Sequence, residues 1–260
     1  MINQTDYRPA FWRTFKRAVA DIYDRLGLVM IASGLWLCLG VVPAVVVLWL
    51  SKSVHPFPLA VGGFAYYTFV GGPVLAGTFY LAGNIVSRQD PVVLDLLTGA
   101  RRFLFASWKL AAAQLLITAI LITDTVFFLA TYVGAKNAVF IPLTGLAFYA
   151  MLFWGTMVIY QWPLLIAQQP STLKLIYRSF LIAADNVTFT SAFWFAIILL
   201  SILCVFPPGM ALLYMGSVSI IATNALREVF RKYGLVAVEP DVVEDKGWPL
   251  KDGKKRGGVR

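Results

Sequence analysis

The chain has 260 residues, of which 59% are hydrophobic and only 13% charged; soluble domains are about 45–50% apolar and about 25% charged. No single water-facing domain of this size hides so much apolar surface. The formal net charge is +9, but the Lys and Arg residues flank apolar runs and crowd the last residues, which excludes a nucleic-acid face and points to the lipid bilayer as first partner.

In chain order, residues 1–26 are expected to form a cytoplasmic amphipathic segment. Phe11, Phe15, Val19, Ile22 and Leu26 fall on one face and Arg13, Arg17, Asp21 and Asp24 on another. The first long apolar run follows this charged stretch and exceeds the core of a signal peptide, so no cleaved leader is expected. No lipidation motif is present in the sequence.

Residues 27–50 form the first predicted span and residues 60–86 the second, both uncharged. The third covers 105–130, with Lys109 at its entrance and Asp124 inside. The fourth covers 139–165. The uncharged run from Asn186 to Leu226 is divided by Pro207-Pro208-Gly209, because Pro-Pro-Gly ends a helix and favours a turn. Two spans result, 187–206 and 209–226. The fold class expected is therefore all-α: a polytopic transmembrane helix bundle over residues 27–233, six spans as three hairpins. A basic tail, 234–260, follows; it cannot bury a core and its Lys254-Lys255-Arg256 run suits anionic lipid.

Two connections repeat the amphipathic pattern. In residues 91–105, Val93, Leu97, Ala100 and Leu104 form one stripe, with Asp95, Thr98 and Arg102 elsewhere. In residues 171–187, Leu173, Ile176, Tyr177, Phe180 and Ala184 form the stripe. With the N-terminal segment these make three units, each an amphipathic helix and a two-span hairpin, starting at Pro9, Pro91 and Pro170 at intervals of about 80 residues. The amphipathic helices are expected in the headgroup layer, with packing beneath the bundle as the alternative. All but Lys52 and Lys136 of the 22 basic residues fall on the side of the termini and even-numbered loops, which places both termini in the cytoplasm.

No catalytic constellation, metal-ligand spacing or cofactor fingerprint occurs. The lone His55 sits in a short loop, and Cys38 and Cys204 read as small buried hydrophobes. Neither an enzyme, a metal centre nor a cofactor is expected. Asp124 is the residue that most demands an explanation. A carboxylate within a span is unfavourable unless paired, protonated or wetted, and no basic residue lies at its depth. Thr131, one heptad on, with Gln161 and Asn224 on other helices, are its candidate partners. Together they form either a ligand or proton site or a knot of hydrogen bonds that fixes packing. Pro73, Pro163, Pro207 and Pro208 are candidate kinks.

Several segments carry a resemblance: Gly72-Pro73-Val74-Leu75-Ala76-Gly77-Thr78-Phe79-Tyr80, then Arg101-Arg102-Phe103, Asp124 with Phe127-Phe128, Pro163-Leu164-Leu165, and residues 173–186. In order and spacing they resemble the YesL-like family of bacterial membrane proteins, a domain of unknown function, over residues 35–231. The region 45–70 is longer and more apolar than that pattern. The resemblance implies a place in the bacterial cytoplasmic membrane and an association with carbohydrate uptake by ABC importers. It supplies no catalytic residues. Two readings follow: an accessory component that binds a transporter subunit, or a small autonomous transporter or ligand-binding component built on Asp124.

Overall fold

Backbone groups in lipid must bond within their own segment, so an apolar chain of this length resolves into helices. The structure, a computed structural model, describes residues 10–50, 55–135, 139–205 and 208–235. Among them all regular structure is helical: α1 (Phe11–Asp24), α2 (Leu26–Trp36), α3 (Val42–Leu50), α4 (Pro56–Tyr66), α5 (Gly72–Val86), α6 (Leu94–Arg102), α7 (Leu104–Ala135), α8 (Phe140–Gln168), α9 (Thr172–Asp185), α10 (Val187–Val205) and α11 (Pro208–Lys232). Two wide π-helical turns, Leu37–Val41 and Tyr67–Gly71, join α2 to α3 and α4 to α5. Six continuous stretches are long and apolar enough to cross a bilayer, so the chain is a multi-pass membrane protein with the all-α architecture expected. Pro207 and the tail beyond Leu235, including its Lys-Lys-Arg run, lie outside the described residues.

The helix ends have local causes. His55 caps α4, its Nδ1 accepting the Phe57 N–H at 3.3 Å. At the end of α8, Gln169 adopts a left-handed conformation (φ 49°) and Pro170 follows, a stop that a helix cannot read through. Pro208 opens α11, where a missing N–H is harmless.

The second span of each hairpin lies at the centre. α5, α8 and α11 pack on one another, while α2, α7 and α10 lie outside them. The amphipathic helices lock each unit to the next: α6 lies on α5, α9 on α8, and α1 closes the cycle onto α11. The repeat expected from the three prolines is thus visible as one contact made three times.

Three expectations change. The amphipathic helices pack beneath the bundle. Their buried stripes also differ from the apolar stripes: Leu96, Gly99 and Phe103 at α6, and Leu175, Ser179, Ile182 and Ala183 at α9. Leu97, Leu173, Tyr177 and Phe180 instead face outward. Small residues explain this, because they let backbones approach closely; a Cβ on Gly99 would run into the Tyr80 side chain, and one on Gly77 into the Leu96 carbonyl. Third, α11 does not end at Leu226. It continues to Lys232, and this charged extension docks on α1.

The proline positions explain the π turns. Pro43 has no N–H for the Leu39 carbonyl, nor Pro73 for the Phe69 carbonyl. Both freed oxygens find side-chain donors: Tyr66 Oη donates to Leu39 O at 2.9 Å and Trp108 Nε1 to Phe69 O at 3.1 Å. Tyr67 Oη donates to Gly40 O at 2.5 Å. Pro73 thus acts through a π turn, and Pro163 stays inside a continuous α8.

Candidate functional site

Asp124 lies 15 residues beyond Lys109, about 22 Å along α7 at about 1.5 Å per residue. It is exposed, and has no hydrogen-bond or ion-pair partner among the described residues. Nothing in α7 between Ala112 and Gly134 is buried. The neighbours on its face, Ile120 and Phe127, are 51% and 59% exposed. The structure therefore does not assemble the four residues expected around this carboxylate. Thr131 turns its hydroxyl to the Phe127 carbonyl at 2.8 Å. Gln161 is held by Gln114, and Asn224 by Asp21. The reason is the bundle's layout: Gln161 and Asn224 sit on central helices, whereas Asp124 points away from them.

Gln161 belongs to a separate polar thread between α7 and α8. Gln114 Nε2 donates to Gln161 Oε1 at 2.6 Å, and Trp162 Nε1 donates to Gln114 Oε1 at 3.1 Å. One turn further, Trp154 Nε1 donates to Thr118 Oγ1 at 3.0 Å. Gln161 is fully buried, and its Nε2 has no partner. A recess of about 240 Å³ opens beside this thread, bounded by Trp36, Tyr67, Gln114, Thr118 and Trp162 among others. Both π turns contribute to its wall, through Leu39 and Gly40 on one side and Tyr67 and Gly71 on the other. A second recess, about 360 Å³, lies between the three central helices near the α1 end, lined by Asn84, Ser87, Thr223 and Arg227 among apolar neighbours.

Asn224 belongs to a third group at the end of α11. Its Nδ2 donates to Asp21 Oδ2 at 2.9 Å. Burial pushes the Asp21 carboxyl above its usual range, against the opposing pull of that hydrogen bond. Glu228, 1% exposed, has one oxygen on Arg13 at 2.9 Å and the other on Arg231 at 3.1 Å. Lys232 Nζ and Tyr233 Oη donate to Asp185 Oδ2 at 2.5 and 2.6 Å; Lys232 first, then Tyr233, hold that carboxyl below its usual range. These pairs tie α1 and the α9–α10 junction to α11. Their chemistry is that of a latch: every carboxylate is matched by a donor, and none faces either recess. Among the described residues no group of three or more His, Cys, Asp or Glu is placed to hold a metal ion.

Reasoning from the residues passed over Pro43, Gln114 and Glu228. The signals were there: a proline inside the first span, Gln114 and Thr118 four apart on a helix entering lipid, and a lone acid within the basic run after Leu226. Compared with known proteins, the chain matches no family model, no curated protein and no solved structure.

Proposed function

We propose that this protein is an accessory subunit of a membrane assembly, of the YesL-like kind associated with carbohydrate uptake, set in a bacterial cytoplasmic membrane with both termini inside. One observation supports the partner-binding reading above the others. Asp124 stands bare on the outer half of α7, on a face that none of the described residues covers. Translocon scales put a carboxylate at a span's centre at about 2.5–3.5 kcal/mol unfavourable, and such groups turn to a partner or to water. A second copy of this chain would bring only another Asp124 to that depth, since its spans hold no cation there. The matching surface is a different spanning helix that carries a Lys, Arg or His in its outer half. Close packing with Ile120 and Phe127 would exclude lipid around the pair.

Mild-detergent purification of the full chain from its native membrane, with mass spectrometry of what remains bound, tests this reading. The expected result is a stoichiometric membrane protein with such a basic residue. It is retained in part by Asp124→Asn, whose amide still hydrogen-bonds, and lost with Asp124→Leu. A complex equally stable with leucine at this position contradicts the reading.

A further inference from the structure

The recess beside the Gln114–Gln161–Trp162 thread has features that packing alone does not require. Two prolines, Pro43 and Pro73, each break a backbone hydrogen bond, and three side chains, Tyr66, Tyr67 and Trp108, hold the widened turns that result. π turns concentrate at functional sites. Here two of them touch, through Tyr67 Oη on Gly40 O, and together line a single cavity of about 240 Å³.

The lining states what the cavity would accept. Trp36, Tyr67 and Trp162 supply aromatic faces. Gln114 is oriented by its two neighbours and uses one of its two amide hydrogens on Gln161, so one N–H remains. Thr118, one turn along α7, accepts from Trp154 and keeps its own hydroxyl hydrogen. Two donors therefore stand together with no charged group in the lining, and they call for an uncharged acceptor oxygen. Most of the lining residues are only half-buried. Gln114 lies five residues, about 8 Å, beyond Lys109 on the apolar span of α7, so the opening faces the bilayer near one of its borders. Pockets for drug-sized ligands run to about 300–1,000 Å³; this one suits a single substituted ring, with any chain left in the bilayer.

We infer that the recess binds a lipid-dissolved, uncharged aromatic or quinone-type ring, its carbonyl oxygen taking the hydrogens of Gln114 and Thr118 and its plane lying against Trp36 and Trp162. This inference stands apart from the partner reading: Asp124 lies beyond the recess and does not line it.

The test uses the full chain in nanodiscs, titrated with a decyl-substituted benzoquinone, which quenches nearby tryptophan fluorescence. The expected result is saturable quenching, with its amplitude reduced in Trp36→Phe. Loss of a hydrogen bond in Gln114→Leu should weaken binding by about five- to tenfold. Leu39→Trp leaves the polar thread intact and fills the recess, so it should abolish the saturable component while the protein still melts as a folded particle. Quenching that rises linearly with quinone in all forms means partition into the bilayer alone, and overturns the proposal. Saturable binding unchanged by Leu39→Trp places the ligand elsewhere and overturns it equally.

Discussion

Asp21 and Asp185 sit at two edges of the same latch, and their carboxyls move in opposite directions. Asp185 is held low by Lys232 and Tyr233; its contribution is present above the ordinary carboxyl value and fades as pH falls through the lowered one. Asp21 is raised by burial. A raised carboxyl favours the folded state fully only below its unfolded value, and that contribution is lost as pH rises through the folded value. At neutral pH the half-buried Asp21 carboxyl therefore weighs against folding. Asp21→Asn keeps an oxygen for the Asn224 amide and removes the charge. It should melt at a higher temperature than the wild type at neutral pH, with the difference shrinking as the pH is lowered toward the ordinary carboxyl range. A gap that is constant with pH would show that the Asp21 charge plays no part. Glu228 differs because both of its oxygens meet guanidinium groups. None of this latch was visible in the pattern of apolar runs: Arg13–Glu228 and Asn224–Asp21 join residues some two hundred positions apart, and Lys232 meets Asp185 across 47. Sequence separation hid the true partners of Asn224, 203 positions from Asp21, and of Gln161, 47 positions from Gln114. Asp124 was legible as an anomaly from its neighbours alone, yet its outward direction depends on which helices become central.

At the scale of elements, the spans were legible and the faces of the short helices were not. Twenty or so apolar residues in a row state their own fate in lipid, and each predicted span has its helix. The short helices carry apolar residues on two sides, one toward the bundle and one outward. Hydrophobic pattern selects the larger side chains, Leu97, Leu173 and Phe180, whereas close approach selects the small ones, Gly99, Ser179 and Ala183. The outward faces are exposed and apolar, Leu97, Leu173, Tyr177 and Phe180 among them. The crossing of α5 and α6 is the sharpest case. Gly77→Ala drives a methyl into the Leu96 carbonyl, a backbone atom that cannot swing away. Overpacking of this kind costs about 1–3 kcal/mol. Thermal unfolding in detergent should show a clear loss for Gly77→Ala and almost none for Gly62→Ala, where a Cβ meets nothing. Equal melting of the two would mean that α6 is free to move off the bundle. The π turns were equally hidden: Pro73 reads as a kink, but its effect is a wider turn secured from α7 by Trp108.

At the scale of the whole molecule, three hairpins put α5, α8 and α11 at the centre and use α1, α6 and α9 to close a ring beneath them. Period and proline spacing forecast this repetition, while the way α1 returns to α11 needed the folded chain. The ring is uneven. α2 and α10 lean on α11, whereas α7 has nothing buried from Ala112 to Gly134 and carries on its surface Asp124, which has no partner among the described residues. This exposed face with its unmatched carboxylate is the physical basis for the proposal of a partner. Site-specific photo-crosslinking in intact native membranes tests that most directly. A photoreactive phenylalanine analogue replaces Phe127 on the Asp124 face, and Leu199, exposed on α10, serves as the reference position. A discrete protein adduct from position 127, absent from 199 and abolished by adding Asp124→Leu, is the predicted result; lipid adducts alone from both positions would contradict the account.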